Sequence, residues 1–349
     1  MEATLSYVAV GCNAATNALS IPLNTSLPSS RSYKFSGAFA AKNVVSLLSC
    51  SSPSNASGAP LTIVETLKHQ EVTTNSTRLT SVRLQHSTYN SAVRVLAGDS
   101  EGHVFLWTWT QDEGDWKLLQ LSLKDLELPA VAVAAVVIAE TSRRQLYFAT
   151  FSDGTLAVFE ENKTRGKVIL LAKLELGVKC IMETVDAIAL TYGNDEGTEE
   201  SVLVAAGGVD SKVHLFEVAG GSDTLTPLLE LEGHRGWIRS LAFQNQQKIE
   251  SATSVLLASA SQDQRIRLWK ITARSGGPGK ETSKEPAEVH DGFLAIGQQV
   301  KYTVSFDALL LGHEDWVTSV QWMQLPHADE ISSGTQDSQP QLVPITSYW

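Results

Sequence analysis

Three residue types able to build a hydrolytic relay stand close together in the second half of this chain: His234, Ser259 and Asp263, with Trp269 six residues further on. A serine, a histidine and a carboxylate can serve as nucleophile, base and orienting group. However, the run Leu257-Ala-Ser-Ala-Ser261 contains no Gly-x-Ser-x-Gly elbow of the kind that strains a nucleophile into exposure. A structural hydrogen-bond network uses all four residues at once, tryptophan included. On that reading replacing Asp263 harms folding before function, because a buried carboxylate deprived of its partners is costly.

Other chemistry finds no support in spacing. Gly279-Lys280 fails as a phosphate-binding loop, since Arg274 and Glu281 stand where Gly and Ser or Thr are needed. The three cysteines, Cys12, Cys50 and Cys180, make no C-x-x-C pair and read as incidental thiols in a reducing compartment. His69, His86, His103, His214, His290 and His327 are scattered, and no H-E-x-x-H motif joins any of them. The sequence therefore assigns no catalytic residue, no metal and no cofactor. A formal net charge of -11 argues against attraction to a phosphate backbone or an anionic membrane. The apolar run from Leu128 to Ala139 is too short for a bilayer helix, which needs about 20 residues, and reads as a buried strand. With 43% hydrophobic residues in 349, the chain has material for one large all-β domain.

The elements that would position His234, Ser259 and Asp263 come from an internal repeat. An acidic residue, two variable residues, an aliphatic, a variable residue, an aliphatic and an aromatic recur four times. The copies are Glu101 to Trp107, Asp153 to Phe159, Asp210 to Phe216 and Asp263 to Trp269, at intervals of 52, 57 and 53 residues. Aliphatic and small residues precede each copy, as in Val202 to Gly208 and Val255 to Ser261. The pattern predicts a strand, a tight turn and a second strand alternating with period 2. Asp-Gly, Asp-Ser and Asp-Gln suit a turn whose first residue bonds its own backbone. A second signature occurs twice: Gly233-His234 followed by Trp237 and Ser240, and Gly312-His313 followed by Trp316 and Ser319.

These residues resemble WD40 repeats, with Gly-His before the first strand of a unit and Trp ending the third. The resemblance implies an all-β WD40 β-propeller, incomplete, with about five to six blades of a seven-bladed ring in a single partial propeller over residues 1–349. Units fall at 5–50, 61–109, 117–160, 170–218, 228–271 and, incomplete, 305–349, with a flexible insertion at 273–292 that is rich in Gly, Pro, Lys and Glu. In the unit at 228–271, His234, Ser259, Asp263 and Trp269 occupy the positions of the WD40 structural tetrad. Elsewhere the Ser259 position holds Ala97, Ala149 and Ala206, so those units depend on packing. Ser332 to Asp337 faintly echoes one more turn, with Pro340 and Pro344 discouraging a central strand after it.

Gly312 to Val317, Ala260 to Trp269, the insertion between them and the opening Val10-Gly-Cys-Asn13 are similar to the Elongator complex subunit 2 family. That resemblance implies two seven-bladed propellers in a longer chain, so this sequence reads as a truncated N-terminal portion, prone to aggregate when expressed alone. It also implies a non-catalytic scaffold that assembles with the large scaffold and catalytic subunits, supports wobble-uridine modification of tRNA indirectly, touches no membrane, and is cytoplasmic and nuclear. Trp237, Arg239, Glu314, Asp315 and Trp316 are the candidate partner-binding rim, because Trp and Arg dominate binding energy at interfaces. Packing of each Trp on the adjacent blade is the other reading. Two further functions stay open: a generic WD40 adaptor in ubiquitin ligation or signalling, and a propeller hydrolase with a substrate cleft at His234.

Overall fold

A computed structural model describes residues 17–21, 35–50, 61–68, 77–121, 128–162, 167–194, 197–244, 247–249, 252–275, 292–298 and 300–322. They form five consecutive antiparallel sheets. The first holds β1 (Leu19–Ser20), β2 (Gly37–Ala41), β3 (Val44–Cys50) and β4 (Leu61–Lys68). The second holds β5 (Leu79–His86), β6 (Val93–Asp99), β7 (Val104–Trp109) and β8 (Trp116–Leu121). The third holds β9 (Val133–Glu140), β10 (Gln145–Phe151), β11 (Thr155–Asn162) and β12 (Lys167–Glu175). The fourth holds β13 (Met182–Asn194), β14 (Gly197–Gly208), β15 (Val213–Ala219) and β16 (Thr226–Leu231). The fifth runs β17 (Ile238–Phe243), β19 (Ala252–Ser261), β20 (Ile266–Ser275), β22 (Val300–Leu310), β21 (Gly292–Ile296), with the short β18 (Gln247–Ile249) paired to β19.

First strands of successive sheets lie side by side, β5 on β9, β9 on β13 and β13 on β17. Polar groups tie that inner layer together. Asn17 donates its side-chain amide to the carbonyls of Ala134 in β9, at 3.0 Å, and Glu183 in β13, at 2.8 Å. Arg83 of β5 reaches Asp186 of β13 at 2.6 Å, and the other Asp186 oxygen accepts the Phe243 backbone N–H at 2.8 Å. Burial pushes the Asp186 carboxyl up, against the opposing pull of Arg83 and these backbone donors.

The apolar cores lie between sheets. One joins Phe35, Leu47 and Val45 to Val82, Phe105 and Trp107, and another joins Phe148, Leu156 and Val158 to Val204, Phe216 and Val218. The alternation expected after each turn therefore has no solvent face in β15, where every residue is buried. Burial on both faces is the reason, since this third strand is sandwiched between the third and fifth sheets, whereas β20, in the last sheet, keeps exposed positions. Alternation appears one strand further out, in β12. Close approach also dictates small residues on the second strands: a Cβ at Gly98 would lie 2.3 Å from Val133, and one at Gly207 would lie 2.9 Å from Ile238.

The sheets correct the unit boundaries by one strand. β4 opens the stretch assigned to 61–109 but pairs with β3; β8 and β16 likewise complete the sheets before the units at 117–160 and 228–271. The cause is that the motif begins at an outer strand, while antiparallel pairing keeps that strand with the hairpin it follows. The first sheet accordingly reaches Lys68 rather than residue 50, and the third and fourth reach Glu175 and Leu231. Ser305–Leu310 belongs to β22 of the fifth sheet and not to a sixth unit. Gly312–Trp322 follows, packing Val317, Val320 and Trp322 on Ala258, Ile266 and Leu268. At the insertion, Ala273–Ser275 extends β20 and Gly292 opens β21, while 276–291 lies outside the described residues, as do 1–16 and 323–349 with the echo at Ser332 to Asp337. The strand expected from Leu128 starts at Val133.

Phe148 is fully buried between the third and fourth sheets. Phe148→Ala is expected to cost about 3–5 kcal/mol in a urea unfolding titration. Lys117→Ala, at a side chain 71% exposed, is expected to stay within about 0.5 kcal/mol.

Candidate functional site

The turn between second and third strands sets the geometry. Asp153, Asp210 and Asp263 each accept, through Oδ1, the backbone N–H two residues on, at 2.9, 3.1 and 3.1 Å. The residue between takes a left-handed conformation, with φ of 88° at Gly154, 64° at Ser211 and 66° at Gln264. In the first copy Asp99 substitutes for Glu101 in this role, accepting from both Glu101 and His103. Glu101 instead accepts the Thr77 hydroxyl at 2.6 Å.

In the fifth sheet the free oxygen of Asp263 is thereby aimed at the incoming loop. Its Oδ2 accepts the Arg235 backbone N–H at 3.0 Å and lies 3.0 Å from His234 Nδ1. A carboxylate only accepts, so Nδ1 carries the histidine proton and Nε2 is left as an acceptor. The Ser259 hydroxyl, 2.9 Å away, donates to Nε2, and Ser259 Oγ in turn accepts Trp269 Nε1–H at 3.0 Å. The structure thus brings His234, Ser259, Asp263 and Trp269 into one directed chain. Burial lowers the affinity of His234 for a second proton, outweighing Asp263. Burial would raise the Asp263 carboxyl, but the Arg235 and His234 bonds together hold it below the usual range.

The distances match a hydrolytic relay, but the surroundings do not. Ser259 is fully buried, and its oxygen is committed to Trp269. Ser259 offers no exposed face, and its bonds fasten the Gly-His loop to the second and third strands. The equivalent positions Ala97, Ala149 and Ala206 are fully buried without any such bond.

The rim residues lie at the end of the sheets where these loops and turns meet. The Trp237 carbonyl accepts the Gln262 N–H at 3.0 Å, which pins the loop, yet Trp237 is 43% exposed. Trp316 is 54% exposed, and its backbone N–H donates to the Asp315 carboxylate at 2.7 Å. The Glu314 backbone carbonyl accepts from the Gln264 side-chain amide at 3.3 Å, and both Glu314 and Asp315 are exposed. Arg239 is ion-paired with Glu183 of the neighbouring sheet. His313, in the position of His234, has a buried Nδ1 with no hydrogen-bond partner among the described residues. Sequence spacing left one further group apart: Cys180, Asp210 and His214 converge at the fourth sheet. Only the Asp-x-x-x-His spacing hinted at it.

The fold and this clamp define a WD40-type β-propeller. The family model described as WD domain, G-beta repeat matches residues 225–270, which span the clamp. Within that class the chain is similar to Elongator complex protein 2 of several organisms. Identity is 29% to the Arabidopsis thaliana protein over 70% of this chain, and 28% to the Homo sapiens protein over 69%. The Drosophila melanogaster protein is 34% identical over 36% of this chain. The matches cover 29%, 27% and 17% of those relatives, so the chain spans less than a third of their length.

The clamp makes stability pH-dependent with a definite sign. Both His234 and Asp263 bind protons less readily folded than unfolded. Stability is therefore expected to fall as pH drops through the ordinary histidine value of about 6.5, and again below the aspartate value of about 3.9. Asp263→Ala is expected to cost about 1–3 kcal/mol near neutrality and to flatten the lower limb. Equilibrium unfolding across that pH range checks both.

Proposed function

We propose that this protein is a non-catalytic scaffold in an Elongator-type complex, presenting its loop rim to partner subunits. The observation that carries the reading is the pair Trp237 and Trp316, each about half exposed at the same end of the sheets. Exposing two indoles gives a folded monomer nothing, whereas tryptophan is enriched among residues that dominate interfaces. Arg239, Glu314 and Asp315 surround them as the polar rim of such a contact. Similarity to Elongator complex protein 2 over 70% of the chain supports the choice of complex.

On this reading the partners are the large scaffold and catalytic subunits, tRNA wobble-uridine modification is supported indirectly, and the protein works in the cytoplasm and nucleus. The chemistry belongs to a partner, in keeping with a clamp whose serine is sealed from solvent.

Affinity purification with mass spectrometry tests the assignment. Elongator subunits are expected with the wild-type chain; recovery of ubiquitin-ligase components in their place overturns it. Trp237→Ala is expected to weaken partner binding roughly 30-fold, a hot-spot loss of about 2 kcal/mol, with an unchanged melting temperature. A lowered melting temperature with binding intact would assign Trp237 to packing instead.

A further inference from the structure

We propose that Cys180, Asp210 and His214 form a site for a borderline-soft divalent cation, with zinc the best fit to the donor set. Cys180 closes the short 3-10 turn Val178–Cys180 that leads into β13, Asp210 stands in the turn between β14 and β15, and His214 is the second residue of β15. One donor atom from each lies within 4.8 Å of the others. Thiolate, imidazole and carboxylate together are a zinc set, and zinc accepts three protein ligands with water in the fourth position.

Three observations make the cluster more than a chance meeting. His214 is buried and its ring stacks on Phe216, 6.4 Å between centroids at 15°, so the imidazole is held in one orientation. Its Nε2 lies 2.6 Å from Asp210 Oδ2, while Nδ1 faces Glu230 Oε1 at 3.7 Å. A carboxylate behind the second ring nitrogen is the usual support of a metal-bound histidine, fixing its tautomer and raising its basicity. The nearby cation, Lys212, is turned to Glu230 and Glu232 at 2.7 and 2.9 Å, and it leaves the acidic side in excess.

The same place in the fifth sheet shows what differs. There the turn acid Asp263 receives the histidine of the incoming loop, and the third strand carries Arg267. In the fourth sheet the incoming loop supplies a thiol and the third strand an imidazole, so the turn acid faces two metal ligands. Donors around one tetrahedral zinc stand about 3–4 Å apart. Closing the site therefore takes an inward movement of roughly 1 Å by the Cys180 thiol on its loop, while His214 and Asp210, now 2.6 Å apart in a hydrogen bond, open by under about 1 Å to share the ion. Binding releases the thiol proton to solvent, and the imidazole stays neutral, exchanging its proton through water from Nε2 to Nδ1, which faces the Glu230 carboxylate.

Cobalt titration of the full chain, stripped with a chelator, tests the site. A near-ultraviolet thiolate-to-cobalt band is expected, saturating at one ion per chain and lost on adding zinc. Cys180→Ala should abolish the band, and Glu230→Gln should weaken binding by about 10–100-fold. Zinc should raise the melting temperature of the wild type and not of Cys180→Ala, with both folded to the same extent before metal is added. Absence of the band, or its survival in Cys180→Ala through Cys12 or Cys50, overturns the proposal.

Discussion

Face-to-face packing between successive sheets is the interaction on which the rest of this molecule depends. Second and third strands such as β10 and β15 are buried along their whole length, so a single sheet in water would expose two apolar faces. Each sheet becomes stable only when a neighbour covers it, a property shared by repeat architectures in general. The demand reaches down to single atoms: Gly98 and Gly207 leave room for Val133 and Ile238 of the next first strand. Polar stitching is secondary, but it sets direction. Asn17, Arg83 and Asp186 connect strands more than a hundred residues apart, fixing the order in which first strands meet.

The clamp in the fifth sheet is a local supplement to this packing. The second, third and fourth sheets hold alanine at the Ser259 position and, in two of them, phenylalanine at the Trp269 position, and they keep the same four-stranded order. Burial of an aromatic ring supplies what the hydrogen bonds would have added. Where the clamp is complete it couples loop to strand through directed donors, and the loop it fastens carries Trp237. A fixed loop presents an indole without a large ordering cost on binding. The Gly-His-x-x-Trp signature thus joins a buried anchor to an exposed contact within four residues.

Much of this was legible in the sequence, and the exceptions have physical causes. Three of the four turn acids and the strands flanking them follow from local spacing, because each depends on neighbours a few positions away, whereas the clamp was legible only through the resemblance to WD40 repeats, since His234 lies 25 and 29 residues from Ser259 and Asp263. Fourth strands were assigned to the wrong side of each boundary because they carry no motif, and their partner is settled only by antiparallel pairing. Asp186 gave no signal, since its partners Arg83 and Phe243 lie 103 and 57 residues away. Cys180 and His214 escaped for the same reason: the loop of one sheet and the third strand of that sheet meet only when the turn between β14 and β15 brings Asp210 to both. Two-sided burial of third strands was hidden by the alternation itself, which looks identical whether the second face meets water or another sheet.

The offset between sequence unit and sheet has a meaning for how such a molecule can be recombined. An outer strand travels in the gene with the unit that follows it, yet in space it seals the sheet that came before. Exchanging one unit for another would therefore graft a foreign rim strand onto a resident hairpin, as β16 meets β15 here, and leave the newcomer's own hairpin edged by a resident strand. Compatible modules must match at two seams at once, which binds adjacent units to a shared history more tightly than their separate motifs suggest.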